Sequence, residues 1–197
     1  MFRMTVCSVF AALMVGACSG AEPGAQPAPG SQQNEAVTET VAAGLQGQSW
    51  SLSSELFGYF LPQEDVSIGT IQLDHISLSM QWEAEAYMNG EADAYPPIGL
   101  SFDDTSSPTG TGELGNTYYE VTHWIQPDMF AVNDEGMQFA GSHDLLGEIR
   151  FSGTWNRAHI DEMMAGNPQN AQQALTGTLM VGDVVFSDVA FQGWLGD

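Results

Sequence analysis

No lysine occurs anywhere in the 197 residues, and three arginines stand against 25 acidic side chains, for a formal net charge of −22. The missing amine excludes Schiff-base chemistry. A field of this sign also repels phosphate backbones and anionic headgroups, so nucleic acid is not an expected partner. Cysteine is almost as scarce. Cys7 and Cys18 both fall in the first tenth of the chain, and everything after them must fold without disulfides. Long apolar runs are missing too: the run from Val6 to Val15 is 10 residues, about half of what a membrane-spanning helix requires.

What is present begins with that short run. One cation, Arg3, precedes it, and Val15-Gly16-Ala17-Cys18 closes it. A charged start, an apolar stretch of this length and small residues before a cut are the parts of a secretory leader. The last four residues resemble the lipobox of bacterial lipoproteins, an aliphatic residue and two small ones before a cysteine. The resemblance implies that residues 1–17 are removed and that Cys18 becomes the first residue. There it would carry a diacylglycerol and an amide-linked fatty acid such as palmitate. One acyl chain holds a protein marginally and two or more hold it stably, so Cys18 would be a membrane anchor. Ser19, where enterobacterial lipoproteins kept at the inner membrane have Asp, points to the outer membrane.

From Cys18 to Gly47 the chain is mostly Ala, Gly, Pro, Gln, Ser and Glu, a composition that buries too little surface to offset chain entropy. It reads as a tether, reaching roughly 30 Å as a coil and approaching 90 Å if fully extended. Residues 48–197 are long enough for one domain with one core. Without the leader, Arg150 and Arg157 face all 25 acids, a balance that suits a salty medium.

Most of that domain reads as strand. Ile68 to Tyr87 shows period-two alternation, with Ile76, Leu78, Met80, Trp82, Ala84 and Ala86 on one face. His75, Ser77, Ser79, Gln81, Glu83 and Glu85 fall on the other. Asn89-Gly90 then reads as a hairpin turn. Ile98–Phe102, Thr117–Ile125, Met129–Val132, Met137–Gly141, Leu145–Trp155, Thr178–Val181 and Val184–Phe191 are further strands, with Gly182-Asp183 a two-residue turn between the last two. Ser54 to Leu61 fits a helical turn or a strand. Asn156 and Asn167-Pro168 start short helices over 157–165 and 169–175. The expectation is a mainly β fold: an antiparallel sandwich or barrel-like sheet of 8–10 strands, with one or two short helices near 157–175 covering an end or an edge.

Chemistry is harder to find. No Gly-x-Ser-x-Gly, P-loop, dinucleotide-binding or His-Glu-x-x-His spacing occurs, which leaves no nucleophile motif and no zinc site. His123, with Tyr119, Val121 and Ile125 on its strand face, reads as a core or half-buried histidine and not as a ligand. Glu83 and Glu85, two apart on one strand face, would sit roughly 6–7 Å from each other, within range of a glycosidase pair. WEAEAYM resembles in outline the Glu-x-Asp-x-x-Glu motif of laminarinase-type jelly-roll glycanases, with Glu85 in the place of the Asp and Met88 in the place of the last Glu. The loop carboxylates Asp103, Asp104, Glu113, Asp134 and Glu135 are hard donors of the kind calcium takes. The five tryptophans, spread among the strands, read as core, and the apolar segment Leu56, Phe57, Tyr59, Phe60 and Leu61 reads as core or, if left outside it, as a contact patch.

Two functions fit. The first is a non-enzymatic β-rich binding or structural domain, anchored by lipid in the cell envelope, at the outer membrane or facing the periplasm, with a protein, glycan or lipid as partner. The second is a polysaccharide hydrolase using Glu83 and Glu85.

Overall fold

The computed structural model describes residues 41–42, 44–113 and 115–196. The expected leader, Cys18 and most of the tether lie outside them. Val41 and Ala42, inside the stretch expected to be tether, are buried.

The chain is mainly β, a large mixed sheet curled into a half-barrel beside a small second sheet. Its elements are β1 (Gln48–Ser51), β2 (Gly58–Pro62), β3 (Ser67–Ile68), β4 (Ile71–Leu78), α1 (Gln81–Met88), β5 (Ile98–Asp104), β6 (Thr109–Thr111) and β7 (Thr117–Tyr119). There follow β8 (Thr122–Ile125), β9 (Met129–Asn133), β10 (Gly136–His143), β11 (Gly147–Trp155), α2 (Arg157–Met164), a 3-10 turn (Pro168–Asn170), β12 (Leu175–Val181) and β13 (Val184–Trp194). The large sheet runs β1-β9-β10-β11-β12-β13-β2-β4-β5-β8, with β3 paired to β4, and β6 and β7 form the small sheet. All pairings are antiparallel except β1 on β9.

The second half of the sheet follows its sequence pattern closely. Alternation in β10, β11 and β12 puts Met137, Phe139, Ile149, Phe151, Leu175 and Leu179 inside, and antiparallel register brings Phe139 opposite Phe151 and Phe151 opposite Leu179. The Phe139 and Phe151 rings stack with centroids 5.1 Å apart, and Phe191 meets Phe151 edge-on at 5.8 Å. With Phe60, Phe102 and Phe130, also wholly buried, they fill the interior of the half-barrel. Gly182-Asp183 links β12 to β13 as expected, with Gly182 at φ +57°.

The first half departs from its pattern. The strand expected over Ile68–Tyr87 stops at Leu78, and Gln81–Met88 is a helix. Gln, Glu, Ala and Met are strong helix formers, and the Glu83 carboxylate reaches back to accept the Met80 N–H at 3.0 Å, satisfying a donor that the first turn leaves open. Asn89-Gly90 is therefore the end of α1, not a hairpin. Gly90 sits at φ +72°, its N–H donates to Tyr87, and that of Glu91 donates to Ala86, the paired bonds of a Schellman stop. Beyond Leu78 the alternation that suggested a strand rests on Met80, Trp82 and two alanines too small to mark a face.

Other differences are smaller. Thr117–Ile125 is two strands with different partners, β7 on β6 and β8 on β5. Gly58–Pro62 settles the ambiguous Ser54–Leu61 run as a strand with Phe60 inside. The helix expected over 169–175 is a single 3-10 turn. α2 forms as expected and buries Ile160 and Met163. A Cβ on Gly58 or Gly193 would come within 2.6 Å of the Met163 side chain, so these two glycines let the helix sit against β2 and β13. Among the described residues, no helix is long and apolar enough to cross a membrane.

Candidate functional site: the outer face of the first half-sheet

The inner face of β4, β5 and β8 is core. Their outer face carries Ser77 and His75 from β4, Gly99 and Ser101 from β5 and Trp124 from β8, with Ser101 in register with His75 on one side and Trp124 on the other. β2 adds Tyr59, paired with Trp194 of β13 and Ser77 of β4. A row of rings results. Tyr59 lies 5.7 Å from Trp194 and 5.1 Å from His75, and His75 lies 6.0 Å from Trp124. The row crosses five strands, about 19 Å at the usual strand spacing.

Small residues on β5 make the row continuous. A Cβ on Gly99 would overlap the Trp124 indole, so this glycine lets the Trp124 ring lie across β5 towards His75. His75 is held in turn by Asp74, whose carboxylate lies 2.7 Å from Nδ1. Tyr118 similarly lies over Gly110 in the β6–β7 hairpin, where a Cβ would come within 2.5 Å of its ring.

Two grooves flank the row. One, of about 510 Å³, lies beside the α1–β5 connection and includes Tyr59, Ser77, Glu83, Tyr95, Trp124 and Gln126. The other, of about 810 Å³, lies against the β6–β7 hairpin and includes Glu64, Gln72, Asp74, Asp103, Tyr118 and Thr122. Trp82 stands beside the first, its indole N–H directed at the Met80 sulfur, and Met80 lines that groove. Thus the large exposed aromatic side chains among the described residues, Tyr59, Trp82, Tyr95, Tyr118 and Trp124, all gather on or beside one face.

The tryptophans therefore divide. Trp155 is buried and donates its N–H to the Asn133 carbonyl at 2.9 Å, and Trp50 packs against the core. Trp82 and Trp124 are 63% and 47% exposed and are not core residues, contrary to expectation. The Leu56–Leu61 run divides as well: Leu56 and Phe60 are core, while Tyr59 faces outward. His123 shares the inner face with Phe102 and Ile125, half-buried, its ring 5.4 Å from that of His143 where β8 approaches β10. His159 accepts the Gln173 N–H at 2.9 Å.

The carboxylates expected to act together are not brought together. On a helix, residues two apart point to nearly opposite sides, so Glu83 and Glu85 share no face. Glu83 is held at the helix start, and Glu85 accepts from Gln81 at 2.9 Å. The strand geometry that suggested a glycosidase pair does not form. The calcium candidates fall in three places: Asp103 and Asp104 at the end of β5, Asp134 and Glu135 in the β9–β10 turn, and Glu113 beyond β6. Among the described residues no three acidic, histidine or cysteine side chains converge as a metal site would need.

The best-held of these carboxylates have structural partners. Asp104 accepts from the Ser106 hydroxyl at 2.6 Å and its N–H at 2.9 Å, and these bonds hold its pKa below the ordinary carboxylate value. Asp134 is likewise lowered, first by the Ser53 N–H at 2.9 Å and then by Arg157. Asp103 accepts the Thr122 hydroxyl at 2.9 Å.

Sequence reasoning missed the aromatic row because it assigned every tryptophan to the core. The available signal was the small pair Gly99 and Ser101, two apart on a strand beside Thr-His-Trp-Ile. No protein-family model matches this chain, and no curated protein or solved structure matches it either.

Proposed function

We propose that this protein is a lipid-anchored, non-enzymatic binding module of the cell envelope, held at the outer membrane through Cys18, and that it takes its ligand on the outer face of β13-β2-β4-β5-β8. The observation that carries the reading is the gathering of exposed aromatic side chains over two grooves, a mainly polar one against the β6–β7 hairpin and a more apolar one beside the α1–β5 connection. Exposed tyrosine and tryptophan provide large contact area with a polar handle and little conformational entropy to lose, which is why they are enriched where proteins grip ligands. Both grooves are open to solvent along the sheet, while the interior is filled by phenylalanines. This favours capture on the surface over carriage of a lipid inside the sheet.

The anchor rests on Val15-Gly16-Ala17-Cys18. Mass spectrometry of the native protein is expected to find acyl groups on Cys18 as the first residue, and an unmodified or different start would contradict it. For the binding face, detergent-solubilised protein is mixed with washed envelope fragments and sedimented. Trp124→Ala is expected to lower retention at least tenfold. Equal retention of the variant would overturn the assignment of the face.

A further inference from the structure

We infer that the ligand of this face is a linear polysaccharide whose sugars carry no acidic groups. The inference rests on the binding reading above and names its ligand class.

Charge makes the first selection. Glu83 lines one groove, and Glu64, Asp65, Asp74 and Asp103 line the other. The two arginines of the folded part are engaged elsewhere, Arg150 with Glu148 at 2.6 Å on β11 and Arg157 with Asp134 at 3.2 Å beside α2. A uronate, sulfate or phosphate polymer would meet carboxylates with no cation to offset them. A neutral sugar meets no such penalty, and an amino sugar gains from the carboxylates and from the aromatic rings.

The mixture of side chains makes the second. Between the aromatic rings stand neutral amides and hydroxyls: Ser77, Ser79 and Gln126 in one groove, Gln72, Asn116 and Thr122 in the other. A sugar presents both surfaces such a face can use, an apolar C–H side to lie on an aromatic ring and hydroxyls that donate and accept. Carboxylates and amides satisfy those hydroxyls in both senses. A protein partner would call for a contiguous dry patch at the centre, whereas here the Tyr118 groove is lined mainly by polar side chains, and Ser77, Ser79, Glu83 and Gln126 interrupt the apolar lining of the other.

Length makes the third. The grooves lie on either side of the ring row, and from Ser79 to Gln72 along β4 the face extends about 20–25 Å. Neighbouring rings are inclined by 40°, 84° and 58°, so no single flat platform exists. A chain running from groove to groove crosses the row once, with Tyr95 in one groove and Tyr118 in the other offering further contacts to its successive units.

The test titrates detergent-solubilised full-length protein with soluble oligomers of neutral glucan, of acetylated and deacetylated glucosamine, and of galacturonate. Tryptophan fluorescence and calorimetry report binding. At least one non-acidic oligomer is expected to bind, with affinity rising with chain length, and galacturonate is expected not to bind. Trp124→Ala and Tyr95→Ala should each weaken binding at least tenfold, while Val184→Ala, exposed at the end of β13 far from Trp194 and outside both grooves, should leave it unchanged. Tyr95 is 73% exposed, so its variant reports on binding without disturbing the core. Equal binding of galacturonate, or full affinity in both aromatic variants, overturns the inference. If no oligomer binds but retention on envelope still depends on Trp124, the ligand is of another class, and the sugar assignment falls while the binding face stands. If neither is seen, both fall.

Discussion

One sheet has two outer faces of different character. Over β10, β11 and β12 the outward positions include Gln138, Ser152, Thr154, Thr176 and Thr178, in register across the strands, and Arg150 between Ala140 and Met180, with no aromatic ring among them. Over β13, β2, β4, β5 and β8 the outward positions include Trp194, Tyr59, His75 and Trp124, with grooves on both sides. Since both halves bury the same kind of inner face, the core does not require the difference. Exposed aromatic surface that folding leaves uncovered is where a partner would be expected.

The comparison breaks most severely at the shared core. Phe151 stacks on Phe139 and meets Phe191, so Phe151→Ala should cost about 3–5 kcal/mol. A thermal or denaturant midpoint should show it, with both halves unfolding together. A midpoint close to that of the natural protein would mean that these rings do not hold the halves together.

Next comes a change confined to the aromatic half. In Gly99→Ala the new Cβ displaces the end of the half-exposed Trp124 side chain, which can swing into solvent. Stability should change by less than about 1 kcal/mol, below the usual cost of overpacking a closed core, while retention on envelope falls at least tenfold. Loss of both together would show that Trp124 is a packing residue. A smaller effect is expected at the end of α1, where Gly90→Ala forces a side chain into the left-handed region at a cost of about 1 kcal/mol, measurable in the unfolding midpoint.

The smallest concerns Asp134, which ties the β1–β2 connection to the β9–β10 turn through the Ser53 N–H. Its folded pKa is depressed, so its contribution to stability is present above the ordinary carboxylate value and is lost as pH falls through the lowered one. Asp134→Asn should therefore lower the thermal midpoint slightly at neutral pH and make the decline into acid shallower. Parallel acid profiles for the two proteins would contradict this.

The two halves also differ in how far the sequence discloses them. In β9 to β13, alternation of large apolar residues with Ser, Thr and Gln, broken by Asn133–Gly136 and Gly182-Asp183, specifies a meander by its own pattern, and strand positions and turns are legible there. In the first half the same signal misleads. Trp82, Ala84 and Ala86 alternate with Gln81, Glu83 and Glu85, yet helix propensity and the Glu83 reach-back to Met80 win. The Glu83 and Glu85 pairing was read from the wrong period. The ring row left only the small pair Gly99 and Ser101 as a trace in the sequence, because it joins side chains from four strands whose neighbours are fixed by β13 pairing with β2, a contact across more than 100 residues of chain. A tryptophan on a strand says that a large ring is present; only the order of strands says which side is left open.

Hydroxyl-radical footprinting of the native protein, with and without washed envelope, tests the central claim most directly. Tyr59, Tyr95, Tyr118 and Trp124 are expected to become protected together, while Leu145 and Val184, also exposed but away from the grooves, keep their oxidation rates. Unchanged oxidation of the four aromatic residues, with protection appearing elsewhere on the molecule, would contradict the account.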